Sequence, residues 1–333
     1  MHPAGERPIS VGVAGATGYA GVELTRALSR HPHTRLRIAM GSSDRPSAAS
    51  PRLNRIWDGE IEPFSVAALA DADAVFLALP EAAAAEIVPP LLDRQVRVFD
   101  LSGAFRLRDA EARARWYPAT PTDVAESAVY GLPEHYRDEL RSARLVSCPG
   151  CYPTAALIAL RPLVKAGLID GHIIIDAKSG ISGAGKAASE RTHFSECHGS
   201  VAAYGVMNHR HGQEIEQELD RPVTFVPHLV PLDRGILETI YATVAPSVDE
   251  SSIANTLGSA YQDAPFVRLT GSRLPEIKHV AFTNFCDVGW VLDIDTRRLV
   301  MVAVIDNLLK GAAGQAIQSF NVAYGFDETA GIE

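Results

Sequence analysis

The segment Ser147-Cys148-Pro149-Gly150-Cys151-Tyr152-Pro153-Thr154 carries two of the chain's four cysteines and runs into an apolar helical pattern at residues 155–163. Cys151 therefore falls where a loop enters a helix. The positive end of the helix dipole lowers a thiol pKa there and enriches the thiolate. A thiolate is the nucleophile that acyl-phosphate chemistry needs: it displaces phosphate, holds the acyl group as a thioester and offers an electrophilic carbon to a hydride. Its natural partner is an imidazole, which protonates the thiohemiacetal oxygen on the way in and removes that proton on the way out. Of eleven histidines, most stand alone in polar stretches, but His209-Arg210-His211 forms a dense cationic cluster between Tyr204 and a helical pattern at 213–219. His209 is the choice for acid/base, with His211 as a substrate-side donor.

Other readings of the cysteines compete. Cys148-x-x-Cys151 has the spacing of a thioredoxin-like pair, although such a pair normally lies early in a small βαβ domain. The spacing also suits half of a zinc site, but no second Cys-x-x-Cys or well-spaced His pair completes it, and Glu196-Cys197-His198 is too compact. No metal is expected. Cys197 and Cys286 read as buried and inert. Cys148 reads as a small packed residue, with a resolving role toward an oxidised Cys151 as the alternative.

At the other end, Gly15-Ala16-Thr17-Gly18-Tyr19-Ala20-Gly21 follows an apolar run at Ile9–Ala14 and opens a helical pattern. Glycine there allows a sharp turn and lets a pyrophosphate approach the helix N-terminus. Where an NAD site usually carries an acidic residue, this chain has Met40-Gly41-Ser42-Ser43-Asp44-Arg45. Ser42, Ser43 and Arg45 are donors suited to a 2′-phosphate, with Asp44 the counter-indication, so NADP is the expected cofactor.

The elements that must position these groups follow from pattern. Runs at 9–14, 35–40, 74–79 and 96–100 read as strands, with helices over 22–28 and 82–92, which implies βαβ units and a parallel sheet. Residues 106–136 read as surface loops and short helices. After about residue 149, β-rich runs at 173–177, 223–226, 236–244 and 299–305 imply an α+β domain with a mixed sheet. The expected fold is α/β: a Rossmann-type nucleotide domain over 1–150, a second domain over 151–311, and a C-terminal helix in 312–333 packing back on the first.

The chain has 333 residues, 47% hydrophobic and 21% charged, enough apolar material for two domains and no case for disorder. A net charge of −9 without a Lys/Arg block argues against nucleic acid or an anionic membrane as partner and leaves small molecules. No apolar run approaches the ~20 residues that span a bilayer, and residues 1–10 lack the apolar segment of a signal peptide. Four cysteines are too few for a disulfide framework. A cytoplasmic protein is expected.

Taken together the motifs resemble those of the N-acetyl-γ-glutamyl-phosphate reductases of arginine biosynthesis. The resemblance covers Gly15–Gly21, Asp100-Leu-Ser-Gly-Ala-Phe-Arg106, Pro149–Thr154, Lys178-Ser-Gly-Ile-Ser-Gly-Ala-Gly185, His209–His211 and Asp306-Asn-Leu-Leu-Lys-Gly-Ala-Ala-Gly-Gln315. It implies a catalytic and oligomerisation role for the second domain, Cys151 as nucleophile, His209 as base, NADPH as hydride source and a homodimer or homotetramer. Physics and resemblance together make Arg106 a phosphate or carboxylate donor, with an exposed surface arginine as its alternative. They make Ser179, Gly180, Ser182, Gly183 and Gly185 a backbone-rich loop for an anionic oxygen or the nicotinamide side, place Leu79-Pro80 beside the cofactor, and give Asn307 the nicotinamide amide. Lys186 and Arg234 are anion candidates that read more readily as solvated charges. Similar architectures in aspartate-semialdehyde and glyceraldehyde-3-phosphate dehydrogenases carry Asn before the cysteine, where this chain has Gly150. Aspartyl phosphate, a glutamyl phosphate on a carrier protein, and a non-catalytic NADP-binding redox sensor remain the rival functions; the charge of −9 gives a carrier no basic docking face.

Overall fold

A computed structural model describes residues 7–332, so residues 1–6 of the N-terminal stretch read above, and residue 333, lie outside the described part. The described chain divides into two compact units, one running to Pro149 and resuming at Ala312, the other spanning Gly150–Gly311.

The first unit is wound around an eight-stranded sheet. Its elements are β1 (Ile9–Ala14), α1 (Tyr19–Arg30), β2 (Thr34–Gly41), β3 (Ser47–Ala48), β4 (Glu60–Pro63), α2 (Val66–Leu69), β5 (Ala74–Leu77), α3 (Glu81–Asp93), β6 (Arg97–Asp100), α4 (Ala110–Trp116), α5 (Thr122–Glu126), β7 (Val129–Tyr130), α6 (Pro133–Ser142) and β8 (Leu145–Ser147). The order is β3-β4-β2-β1-β5-β6-β8-β7, with every pairing parallel except β3 with β4. Its central strands read as unbroken apolar runs because both faces are covered: Val11, Val13, Val75, Phe76, Val98 and Phe99 have no exposed surface. The C-terminal helix, Gly314–Tyr324, belongs to this unit, where Phe320 packs against Phe76 and Phe99 at 5.6 Å each. Residues 106–136 correct the reading of that stretch as surface. They supply three helices or helix starts and an edge strand, and they bury Arg106, Leu107, Arg113, Tyr117 and Tyr130. The Arg113 guanidinium explains the polarity of the stretch, since it donates to the carbonyls of Leu107 and Arg108 at 2.9 Å.

The second unit begins with α7 (Cys151–Lys165) and continues through β9 (Ile169–Gly180), α8 (Phe194–Cys197), β10 (Ala202–Ala203), α9 (Arg210–Leu219), β11 (Val223–Val230), β12 (Ile236–Val244), α10 (Glu250–Tyr261), β13 (Val267–Gly271), β14 (Cys286–Asp293) and β15 (Arg298–Ile305). Its mixed sheet has the order β10-β11-β9-β12-β15-β14-β13. The helix α7 is buried at every position from Tyr152 to Leu163, the burial expected of a helix apolar all round. Pro162 removes the amide that would bond the Ile158 carbonyl, and the Tyr261 hydroxyl donates to that carbonyl instead, at 2.6 Å. No helix among the described residues is long and apolar enough to cross a membrane.

One core residue breaks the apolar rule. Glu238 on β12 is 0 % exposed, lies between Ala177 and Ala303 across the sheet, and neither of its carboxyl oxygens meets a hydrogen-bond partner. Burial pushes its pKa well up, against a smaller opposing pull from Lys178, so it folds as the neutral acid. A carboxyl held above its unfolded value of 4.5 loses its share of stability as pH climbs beyond that value. Glu238→Gln is therefore expected to raise Tm by about 2–6 °C at pH 8 and by clearly less at pH 5. Equal Tm values for the two proteins at pH 8 would contradict a neutral Glu238.

Candidate active site

In the first unit the glycine loop between β1 and α1 can be built from glycine alone. Gly15 has φ +82°, and a Cβ there would lie 2.1 Å from the Ala78 carbonyl oxygen. A Cβ at Gly21 would lie 2.1 Å from the Gly15 carbonyl oxygen. Gly18 is the N-cap of α1 and offers no side-chain oxygen to the first-turn amides. Thr17, exposed, and the half-buried Tyr19 border the loop, and Thr17 comes within 3.1 Å of where a Gly41 Cβ would stand. This is a cradle that fits a dinucleotide pyrophosphate. Ser42, Ser43, Asp44 and Arg45 follow β2 as an exposed run. Leu79 and Pro80 lie just past β5, which ends at Leu77, two residues earlier than its pattern suggests.

Arg106 also belongs to this unit, and it is only 7 % exposed, which corrects the surface alternative. Its Nε donates to the Cys148 carbonyl and one terminal nitrogen to the Leu101 carbonyl, both at 2.7 Å. Asp100, at the end of β6, accepts from the Ser102 amide at 3.0 Å and the Ser102 hydroxyl at 2.7 Å. Burial pushes its carboxyl up to about 6 despite those bonds and the nearby Arg106. Cys148 is 1 % exposed in the core, and burial, then Asp100, push its thiol well up. A thiol so disfavoured as thiolate is poorly suited to resolving an oxidised partner and well suited to packing.

In the second unit Cys151 is the first residue of α7, and Gly150 is its N-cap. Two glycines let the backbone close in. A Cβ at Gly311 would lie 2.7 Å from the Cys151 Cβ, and a Cβ at Gly150 would lie 2.6 Å from the His211 Nε2. The turn carrying Gly311, Leu309–Ala313, is a π-helix. Gly150 thus stands where it does because the His211 ring fills the space that a side chain would take. Sequence reasoning missed Glu214, one turn along α9 from His211. It is 1 % exposed and accepts from the Gly150 amide at 2.9 Å, tying the N-terminus of α9 to that of α7. The i, i+3 spacing from His211 on a helix was its only local signal.

The two histidines differ. His209 is the N-cap of α9, and its Nδ1 accepts from the His211 amide at 3.1 Å. Burial first, then Arg210, pull its pKa down to about 4, so near neutral pH it is uncharged, with its proton on Nε2. His211 is 8 % exposed, its ring centre 4.8 Å from that of His209. Both rings stand against Tyr152, at 6.1 and 5.8 Å, and Phe225 lies 5.3 Å from Tyr152. The Tyr152 hydroxyl reaches the Tyr204 hydroxyl at 3.2 Å.

The loop after β9 departs from expectation. The amides of Gly180, Ile181 and Ser182 donate to the carbonyls of Gly235, Leu232 and Asp233, and that of Gly185 to Ser182. They are therefore engaged within the fold, because the pairing of the sheet continues past the strand ends. Ser179, 2 % exposed, turns its hydroxyl to the Gly180 carbonyl, and a Gly183 Cβ would lie 2.9 Å from that hydroxyl. Asn307 accepts from the Gly235 amide at 2.7 Å and donates to the Ser182 hydroxyl at 2.9 Å. Arg234, expected as a solvated charge, is 6 % exposed and pairs with the fully buried Asp306 at 3.1 Å. Lys186 is exposed, and Cys197 is only half-buried, which corrects its reading as a core residue. Among the described residues no three His, Cys, Asp or Glu side chains gather as a metal site would require.

Comparison with known proteins agrees with this architecture. Residues 10–143 match the family model of the semialdehyde dehydrogenase NAD binding domain, and residues 151–307 that of the semialdehyde dehydrogenase dimerisation domain. The chain is 45% identical over 337 residues to the N-acetyl-gamma-glutamyl-phosphate reductase of Syntrophobacter fumaroxidans, covering 98% of each. It is also 45% identical to that of Geobacillus stearothermophilus, covering 97% of this chain and 98% of the relative. Aspartate semialdehyde dehydrogenase II of Vibrio cholerae shares the fold, with a TM-score of 0.72 at 17% identity over 95% of this chain and 98% of that one. So does the Candida albicans enzyme solved with NADP, with a TM-score of 0.70 at 17% identity over the same shares.

The contact between Gly150 and His211 has a direct consequence. Gly150→Ala is expected to displace the imidazole or the start of α7 by about an ångström and to lower kcat by roughly 10²-fold, with the circular dichroism spectrum unchanged. Unaltered kcat in that variant would show that the approach is not needed.

Proposed function

The chain belongs to the N-acetyl-γ-glutamyl-phosphate reductase family, and on that footing we propose that it reduces N-acetyl-γ-glutamyl phosphate to N-acetylglutamate semialdehyde, with release of phosphate, in arginine biosynthesis. The observation that carries the proposal is the placing of Cys151 at the first turn of α7, next to a glycine against which His211 packs. The Cys151 thiolate attacks the acyl carbon, the C–O bond to phosphate breaks, and the acyl group remains as a thioester. A nicotinamide cofactor held at the Gly15–Gly21 loop would supply the hydride for reducing this thioester. The thiohemiacetal oxygen then needs a proton, and loses it again as the C–S bond breaks to release the aldehyde and restore the thiolate.

The resemblance implies His209 for that proton; the packing supports exchanging the roles. His209 is held neutral with one nitrogen committed to a backbone amide, which suits a fixed donor to the substrate. His211 lies nearer the Cys151 loop and shares its helix with Glu214, which suits the acid/base. NADP as the cofactor is supported by the exposed Ser42, Ser43 and Arg45 after β2. Arg106 remains the proposed contact for an anionic substrate group, as a buried guanidinium held against the Cys148 carbonyl. A homodimer or homotetramer through the second unit is supported by the match to a dimerisation-domain model.

The test is the reverse reaction, following reduction of NADP in the presence of N-acetylglutamate semialdehyde. Turnover should require phosphate, prefer NADP to NAD, and vanish in Cys151→Ser. His211→Asn should lose roughly 10²–10⁴-fold and His209→Asn less. Turnover with aspartate semialdehyde alone would contradict the substrate, and a severe His209→Asn with a mild His211→Asn would return the acid/base to His209.

A further inference from the structure

The second unit also carries a cleft of about 500 Å³ between β11 and the excursion that follows β9. Its lining includes the apolar residues Ile181, Leu229 and Val230 and the charged residues Glu190, Arg191 and Glu196. That volume is in the range of small-molecule sites. Arg191 is exposed, and among the described residues it makes no ion pair, although two glutamates line the same cleft. Its guanidinium instead lies over the Tyr204 ring, 5.5 Å from the centre. The same ring stands 5.5 Å from that of His209, and its hydroxyl is 3.2 Å from that of Tyr152, the residue after Cys151. Tyr204 therefore links the cleft to the groups around the nucleophile.

We infer that this cleft receives the end of the substrate that does not react, the carboxylate and acylamide of an N-acylated amino acid, and that Arg191 binds the carboxylate. The inference rests on the reaction assigned above, which engages the substrate's far carboxyl group at Cys151 and leaves three features to be recognised. A carboxylate calls for a planar fork of donors, and Arg191 is the cleft's one cation among the described lining residues. An amide N–H calls for an acceptor, which Glu190 or Glu196 provides. The acyl methyl calls for an apolar wall, which Ile181, Leu229 and Val230 provide. The two glutamates also make the cleft unattractive to simple anions, so that selection depends on meeting all three groups together.

The experiment compares two aldehydes that differ only in the carboxylate, N-acetylglutamate semialdehyde and 4-acetamidobutanal, in the natural protein and in Arg191→Ala. The substitution should raise KM for the first about 10–100-fold, the effect of a charge-assisted hydrogen bond, with kcat and the KM for NADP little changed. It should leave KM for 4-acetamidobutanal unchanged, and Arg191→Lys should recover part of the loss. A KM for the first aldehyde within about twofold of the natural value, or an equal rise for both aldehydes, would overturn the assignment. No turnover of N-acetylglutamate semialdehyde by the natural protein would contradict the reaction itself, and the inference with it.

Discussion

The close approach of an imidazole to the backbone just ahead of Cys151 is the constraint on which the second unit depends. His211 can stand there only because residue 150 has no side chain, and Gly311 permits the same closeness from another direction. Glu214 fixes the approach by accepting from the Gly150 amide, a bond worth about 0.5–1.5 kcal/mol net in general. Around this point the sheet contributes stiffness. The helix α7 is buried along nearly its full length, and its one internal break in hydrogen bonding is closed by Tyr261. A nucleophile on the first turn of such a helix is held by the core.

The first unit obeys a similar rule, with backbone in place of a ring. Gly15 and Gly21 are excluded from bearing side chains by carbonyl oxygens, so the loop keeps its first-turn amides close to any anion it receives. Beyond β6, Asp100, Ser102 and Arg106 form a buried polar network whose bonds go mainly to backbone. Such a network defines a loop, at the cost of carrying a carboxyl that titrates near 6.

Much of this was legible in the sequence where the signal is local. Strand and helix periods mark the parallel sheet, and Gly15–Gly21 and Cys151 fall at helix starts because the apolar runs on either side locate those starts. The C-terminal helix is visible as a period, although its partners Phe76 and Phe99 are remote in the chain. What stayed hidden depends on distant partners. Arg113 and Arg234 look like surface charges until the carbonyls and the carboxylate that receive them are seen. The amides after β9 look available until the loop at 232–235 folds across them. Glu214 looks like one more acidic residue on a helix, and the departure from asparagine at Gly150 has no visible reason until His211 is packed against it. Cys197 shows the reverse error, since an apolar residue type says little about burial on a short exposed helix.

The account stands most directly on a thioester at Cys151, and a single-turnover mass measurement reaches it. The protein is mixed with NADP and N-acetylglutamate semialdehyde with phosphate left out, then quenched in acid and digested. One NADPH should form per chain, and the peptide containing Cys151 should gain the mass of the N-acetylglutamyl semialdehyde less two hydrogens, a gain lost again when phosphate is added before the quench. An unmodified Cys151 peptide despite NADPH formation, or the acyl group on any other residue, would contradict the account.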